Sequence, residues 1–199
     1  MSEQSLLGDR LARPKSDKKR KAILDAAVEL FAERGIGHAP TSAISTAAGV
    51  AEGTLFTYFR TKDELLNELY REMRVEVDLK MADYPFSGDV RTRLRFVWDR
   101  LLDIAKQHPK KLKVQQQLRA SGRLLKDAEA PNMIIMELLH TSKEGAEIGG
   151  LHGASPEYLV LMLRAQIEAT AEFIAAHREL ESESRELGFR LVWRALTGQ

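Results

Sequence analysis

Apolar residues recur along this chain at helical spacing almost from end to end. Ile23, Ala27, Leu30 and Phe31 stand at i, i+4, i+7 and i+8, with Lys21, Asp25, Glu29 and Glu33 on the other faces. One stripe therefore faces a core while the rest faces water. Gly35 supplies a left-handed cap, which predicts a first helix over 16–34. Pro40 is preset for the first turn of a second helix over 41–48, ended by Gly49, and a third short helix runs over about 52–59. Thr61, Lys62, Asp63 and Glu64 form a capping box, after which Leu65, Leu66, Leu69, Tyr70 and Met73 carry a fourth helix over 62–81.

The run Tyr84 to Asp89, with Pro85, Ser87 and Gly88, predicts a loop. Helices over 90–108 and 110–121 follow, separated by Pro109, then one over 133–148 that ends in a glycine-rich turn. Ser155 and Pro156 read as a cap and a first-turn proline for a helix over 155–177, and a last helix covers 182–197. No segment alternates with period two, so the fold class is all-α, with about nine helices. The expected division is a flexible basic arm over 1–15, a three-helix helix-turn-helix domain over 16–62 and a helical ligand-binding and dimerisation domain over 63–199.

Composition narrows the chemistry. The 199 residues contain 30 Lys+Arg, 29 Asp+Glu and no Cys, so thiol nucleophiles, zinc knuckles and iron-sulfur ligation are all ruled out. No apolar stretch reaches the length of a membrane span and no leader precedes the basic cluster, so the expected location is the cytoplasm. Net charge is near zero, but Arg10, Arg13, Lys15, Lys18, Lys19, Arg20 and Lys21 are opposed only by Asp17 in their stretch. Nucleic-acid binding depends on where positive charge sits, and here it leads into the first helix.

The informative stretch is Pro40 to Phe59. Two short helices that cross closely need small residues at the crossing and a left-handed residue in the turn. Ala47, Ala48 and Gly49 supply them, while Ile44, Leu55 and Phe59 anchor inward. Outward on the third helix remain Glu52, Gly53, Thr54, Thr57 and Tyr58, a face without aliphatic bulk that suits base edges and phosphates. Thr41 and Ser42 would present hydroxyls and amides to the sugar-phosphate backbone, and Lys62 would add charge beside it. The segments ILDAAVELFAERG and TSAISTAAGVAEGTLFTYFRTKDELL closely resemble the N-terminal DNA-binding domain of TetR/AcrR-type transcriptional regulators, over about 21–70. The resemblance implies that the third helix enters the major groove, that Thr41, Ser42, Gly53, Thr54, Thr57, Tyr58 and Lys62 contact DNA, and that the C-terminal half dimerises and senses a small molecule. Three positions depart from the family's pattern. Ala39 stands where a Thr often caps the second helix, Ser45 replaces Ala, and Phe56 replaces a Tyr able to bond phosphate.

In the C-terminal half, Trp98, Leu102, Leu118, Met133, Met136, His140, Met162 and Gln166 mix aromatic, flexible and polar groups as an apolar pocket with a polar anchor would. His140, Glu144 and Glu147 share one side of a helix and are read as a charged face, with no metal site and no cofactor. Apolar residues on more than one face of the last two helices, namely Leu159, Leu163, Ala169, Phe189, Val192 and Trp193, point to an isologous homodimer and hence a palindromic operator. The expected function is a repressor that a small apolar effector releases from double-stranded DNA. No catalytic residue is assigned. The alternative is a helical ligand-binding protein or enzyme whose helix-turn-helix contacts protein, for which the sequence holds no nucleophile elbow, His-Glu-x-x-His or phosphate loop.

Overall fold

A computed structural model describes residues 3–129, 134, 136, 138 and 155–197. Among the described residues the regular elements are helical. They are α1 (Glu3–Arg34), α2 (Thr41–Ala47), α3 (Glu52–Tyr58), α4 (Lys62–Leu79), α5 (Val90–Gln107), α6 (Pro109–Ala120), α7 (Lys126–Glu129), α8 (Pro156–Ala176), a 3-10 turn at Arg178–Leu180, and α9 (Glu181–Thr197). Residues 134, 136 and 138 are also helical, and the rest of the helix expected over 133–148 lies outside the described residues. No described helix is long and apolar enough to cross a membrane.

Most boundaries fall within two residues of expectation because local chemistry sets them. Gly35 (φ 84°) and Gly49 (φ 67°) both take the left-handed conformation their turns require. Asp89 and Ser155 cap α5 and α8 by accepting from Thr92 N–H and Tyr158 N–H. The clear exception is α1, which begins at Glu3, so the arm expected to be flexible over 1–15 is helical from Glu3 onward. Glu3, Gln4, Leu6, Leu7, Arg10 and Leu11 are all strong helix formers, and they outweigh Gly8 and Pro14.

The chain folds as two compact units, one of residues 1–72 with 110–129, the other of 73–109 with 130–199. In the first unit α1 packs on α2 and α3, and Ile23, Ala27, Phe31, Ile44, Leu55, Phe59 and Leu65 are buried. Side-chain amides hold α6 and α7 to this unit. Gln117 on α6 donates to Phe31 O (3.2 Å) and accepts from Ile36 N–H (3.1 Å). The buried Asn67 on α4 donates to Arg123 O (3.1 Å) and accepts from Leu125 N–H (2.7 Å). Lys110 pairs with Glu29, Arg123 with Asp63 and Arg71 with Asp127. Residues 110–129 therefore belong with the helix-turn-helix, and not with the C-terminal half where the sequence reading put them.

The second unit packs α5, α8 and α9 together around Leu94, Val97, Trp98, Leu163, Ile167 and Phe189. Its tightest point is Gly188 on α9. A Cβ there would come within 2.6 Å of the Trp98 ring and 2.9 Å of the Thr170 hydroxyl, so only glycine lets the indole lie flat against that helix. The Trp98 indole N–H donates to Arg185 O at 3.0 Å. Arg185 itself bonds Asp99 (3.2 Å) and Asp103 (2.6 Å), tying α9 to α5 through charge as well as through packing.

Candidate nucleic-acid interface

The helix-turn-helix is built from backbone outward. Pro40 stands one position ahead of its expected place. Its extended backbone (φ −72°, ψ 155°) makes it the cap of α2, with no side-chain bond, and its carbonyl accepts from Ala43 N–H (3.1 Å) and Ile44 N–H (3.2 Å). Ile44 and Ser45 are buried on the inward side of α2. The Ser45 hydroxyl donates to Ser42 O at 3.0 Å, so serine at the crossing is accommodated by a bond to its own helix. Gly49 turns the chain, and Leu55 and Phe59 fasten α3 to the core.

The residues singled out on α3 stand outward. Glu52, Gly53 and Thr57 are exposed, and Thr54 and Tyr58 are half-buried. Thr57, exposed, donates its hydroxyl to Gly53 O (2.9 Å) one turn back in the same helix. Thr41 donates to a Glu52 carboxylate oxygen at 3.0 Å, which links the starts of the two helices across the turn and pairs two of the candidate contacts with each other. Gly53 is helical with an ordinary negative φ, and a Cβ there would meet nothing within 4 Å. The fold thus gives no reason for glycine at this position, although glycine weakens a helix by roughly 0.5–1 kcal/mol relative to alanine. Beside α2, Leu30, Arg34, Ser42, Ala43, Thr46 and Ala47 line an open hollow, and Ser42 stands exposed at its edge.

Lys62 departs from its assigned place. Its ammonium is turned into the α1–α2 loop, where it donates to Ile36 O (2.6 Å) and Ala39 O (2.7 Å) and lies 5.8 Å from the centre of the Phe31 ring. Partial burial, then the neighbouring Arg123, push its pKa below the ordinary lysine value, with Asp63 working the other way. Lys62 is a staple for the loop that leads into α2. The basic cluster before it also divides. Arg20 pairs with Glu72 (2.5 Å) and Glu68 (3.1 Å), and Lys21 pairs with Asp25 (2.7 Å), whereas Lys18 and Lys19 are exposed.

Residues 23–69 match the family model described as "Bacterial regulatory proteins, tetR family". That segment belongs to the TetR family. A stretch of the chain is 41% identical over 68 residues to the "Fatty acid metabolism regulator protein" of Bacillus subtilis, a match covering 31% of this chain and 35% of that protein. Over most of its length the chain is 25% identical to the "Uncharacterized HTH-type transcriptional regulator YhgD" of the same organism, covering 83% and 90% of the two. It also matches a crystal structure of a TetR-family regulator from Shewanella sp. PV-4, with TM-score 0.80, 28% identity and coverage of 89% and 97%.

The described residues assigned to a ligand pocket divide between the two units. Trp98 and Leu102 lie deep in the second unit's core, where the indole is fixed by Gly188 and Arg185. Leu118 belongs to the first unit. Met136 is half-buried against the second unit's core and Gln166 is half-buried on α8, while Met162 is 49% exposed. Helical phase explains Met162, because Leu159, Leu163, Ile167 and Ile174 take the inward positions of α8. Met133, His140, Glu144 and Glu147 lie outside the described residues.

The dimer assignment needs the same correction of phase. Leu159, Leu163, Phe189 and Val192 are buried in their own unit, and Trp193 is half-buried on it with Arg91 5.4 Å from its ring. Only Ala169 of that set is exposed. The outward apolar stripe consists instead of Leu161 (54% exposed), Met162 and Phe173 (46%) on α8, with Leu187 (47%) and Leu191 (50%) on α9.

Proposed function

We propose that this chain is a TetR-family transcriptional repressor that binds a palindromic operator as a homodimer and is released when a small apolar effector occupies its second unit. The observation that carries the DNA-binding part is the outward face of α3, where an unneeded glycine, Gly53, sits among Thr54, Thr57 and Tyr58 on a helix anchored from behind by Leu55 and Phe59. A helix is roughly 10–12 Å across with its side chains, and a major groove about 12 Å wide admits it. Thr41 and Ser42 stand at the start of the preceding helix, where hydroxyls and amides meet phosphate and fix register. Exposed Lys18 and Lys19, midway along α1, supply charge for the duplex.

The outward stripe of Leu161, Met162, Phe173, Leu187 and Leu191 supports a two-fold pairing through α8 and α9, since both helices already bury another face in their own unit. The effector part is supported by the resemblance, together with half-buried Met136 and Gln166 at the edge of an apolar core. The deciding experiment measures binding of the full chain to duplexes carrying the inverted repeats found beside its own gene, across a salt series, with and without long-chain acyl compounds. Tight, steeply salt-dependent binding of two chains per repeat supports the reading, as does release by an acyl compound. A chain that ignores duplex DNA at low ionic strength overturns it.

A further inference from the structure

With Lys62 turned inward, the interface needs another cation close to α3, and we infer that Arg60 is that residue, a phosphate contact at the far end of the reading helix. This inference rests on the DNA-binding reading above and adds a residue that neither the resemblance nor the sequence reading assigned. Among arginines of the first unit with described side chains, Arg20, Arg71 and Arg123 are held by carboxylates, Arg34 lies 3.8 Å from Glu33, and Arg119 is engaged as well. The Arg60 guanidinium has no partner among the described residues, and the side chain is exposed.

Its backbone, in contrast, is fixed on both sides. Phe59 just before it is 1% exposed and caps α3 by donating to Leu55 O at 2.9 Å. The Arg60 N–H donates to the Glu64 carboxylate (2.8 Å), and the Thr61 hydroxyl accepts from Glu64 N–H (3.0 Å), so Glu64 ties down the residue before the α4 cap as well as the cap itself. The two carboxylates that follow it most closely are both taken, Asp63 by Arg123 and Glu64 by the Arg60 backbone, so neither neutralises the guanidinium. A pinned backbone bearing an unpaired arginine two residues beyond Tyr58 is a cation held out for a partner outside the chain. A duplex that takes α3 into its major groove has a strand of phosphates along each wall of that groove, within reach of a long side chain at the helix end, and arginine's planar fork suits a phosphate.

The test compares wild type, Arg60→Gln, Arg60→Lys and Lys62→Met for binding to a specific and an unrelated duplex between low and moderate salt. Each phosphate contact contributes about 0.9 to the slope of log affinity against log salt. Arg60→Gln is expected to lower that slope by about 0.9 per bound copy, equally on both duplexes, with an unchanged melting temperature. Arg60→Lys is expected to keep the slope, since the charge remains, and Lys62→Met to melt earlier with the slope intact. An unchanged slope in Arg60→Gln overturns the inference, as does a change confined to one duplex, which would make Arg60 a reader of bases. If wild type binds neither duplex, the DNA-binding reading itself falls, and that outcome is distinct from wild-type binding that Arg60→Gln leaves untouched.

Discussion

At Gly53 the interests of fold and function diverge. The site has open space for a methyl group, so Gly53→Ala is expected to raise stability by up to about 1 kcal/mol while weakening duplex binding, because the added Cβ stands between the α3 backbone and a phosphate or base edge. A thermal melt and a binding titration on the same preparation check both halves, and tighter binding by the alanine variant would refute the contact. Lys62 shows the opposite case, a residue whose chemistry suggested an external partner and whose geometry gives it an internal one. Lys62→Met removes the donor shared by Ile36 O and Ala39 O. A loss of about 1 kcal/mol in urea unfolding is expected, limited by the water that reaches this half-buried site. Its lowered pKa adds a sign. Between that value and 10.5 the unfolded chain holds the proton more tightly, so wild-type stability gains with rising pH from this group, and the gain is absent in Lys62→Met.

At the scale of elements, helix ends carry the acid sensitivity. Asp89 at the start of α5 is held below the ordinary carboxylate range by the Thr92 N–H, Asp127 on α7 by Arg71, and Glu181 at the start of α9 by Lys106. Groups with depressed folded-state values stabilise the fold above their unfolded values and lose that contribution as pH falls through the folded ones. Melting temperature is therefore expected to hold above about pH 4.5 and to drop below about 3.8, the unperturbed values of these groups. Packing between elements makes a second prediction. Gly188→Ala forces a methyl group into the Trp98 ring and is expected to cost about 1–3 kcal/mol or more, read as a loss of near-ultraviolet tryptophan signal and an earlier melt. These two sites also mark what the sequence made legible. Caps and breakers act within four residues, so Gly35, Gly49, Asp89, Ser155 and the Thr61–Glu64 box could be read from a string of letters. Gln117 and Asn67 could not, because each joins backbone groups more than fifty positions away, and a lone amide in a helical pattern gives no sign of its destination. On α8 and α9 the period was right and the phase was not. Both faces are apolar there, and periodicity alone cannot say which one a second copy would cover.

For the whole molecule, the outward stripe sets the assembly prediction. Leu161→Glu combined with Leu191→Glu places charge on positions that are 54% and 50% exposed in the single chain. The isolated fold is expected to tolerate both, while sedimentation shifts from two copies to one and affinity for an inverted repeat falls toward that for a half-site. A double variant that stays paired would move the interface elsewhere. The composition of the first unit has a practical consequence of another kind. Because residues 110–129 rejoin the segment that ends at Glu72, a chimera that grafts these first 72 residues onto a relative's remaining chain would also inherit foreign counterparts of Gln117 and Arg123. A working hybrid in this protein therefore needs three crossovers in place of one well-chosen junction, with the stretch from Lys110 to Glu129 travelling alongside the N-terminal piece it clasps.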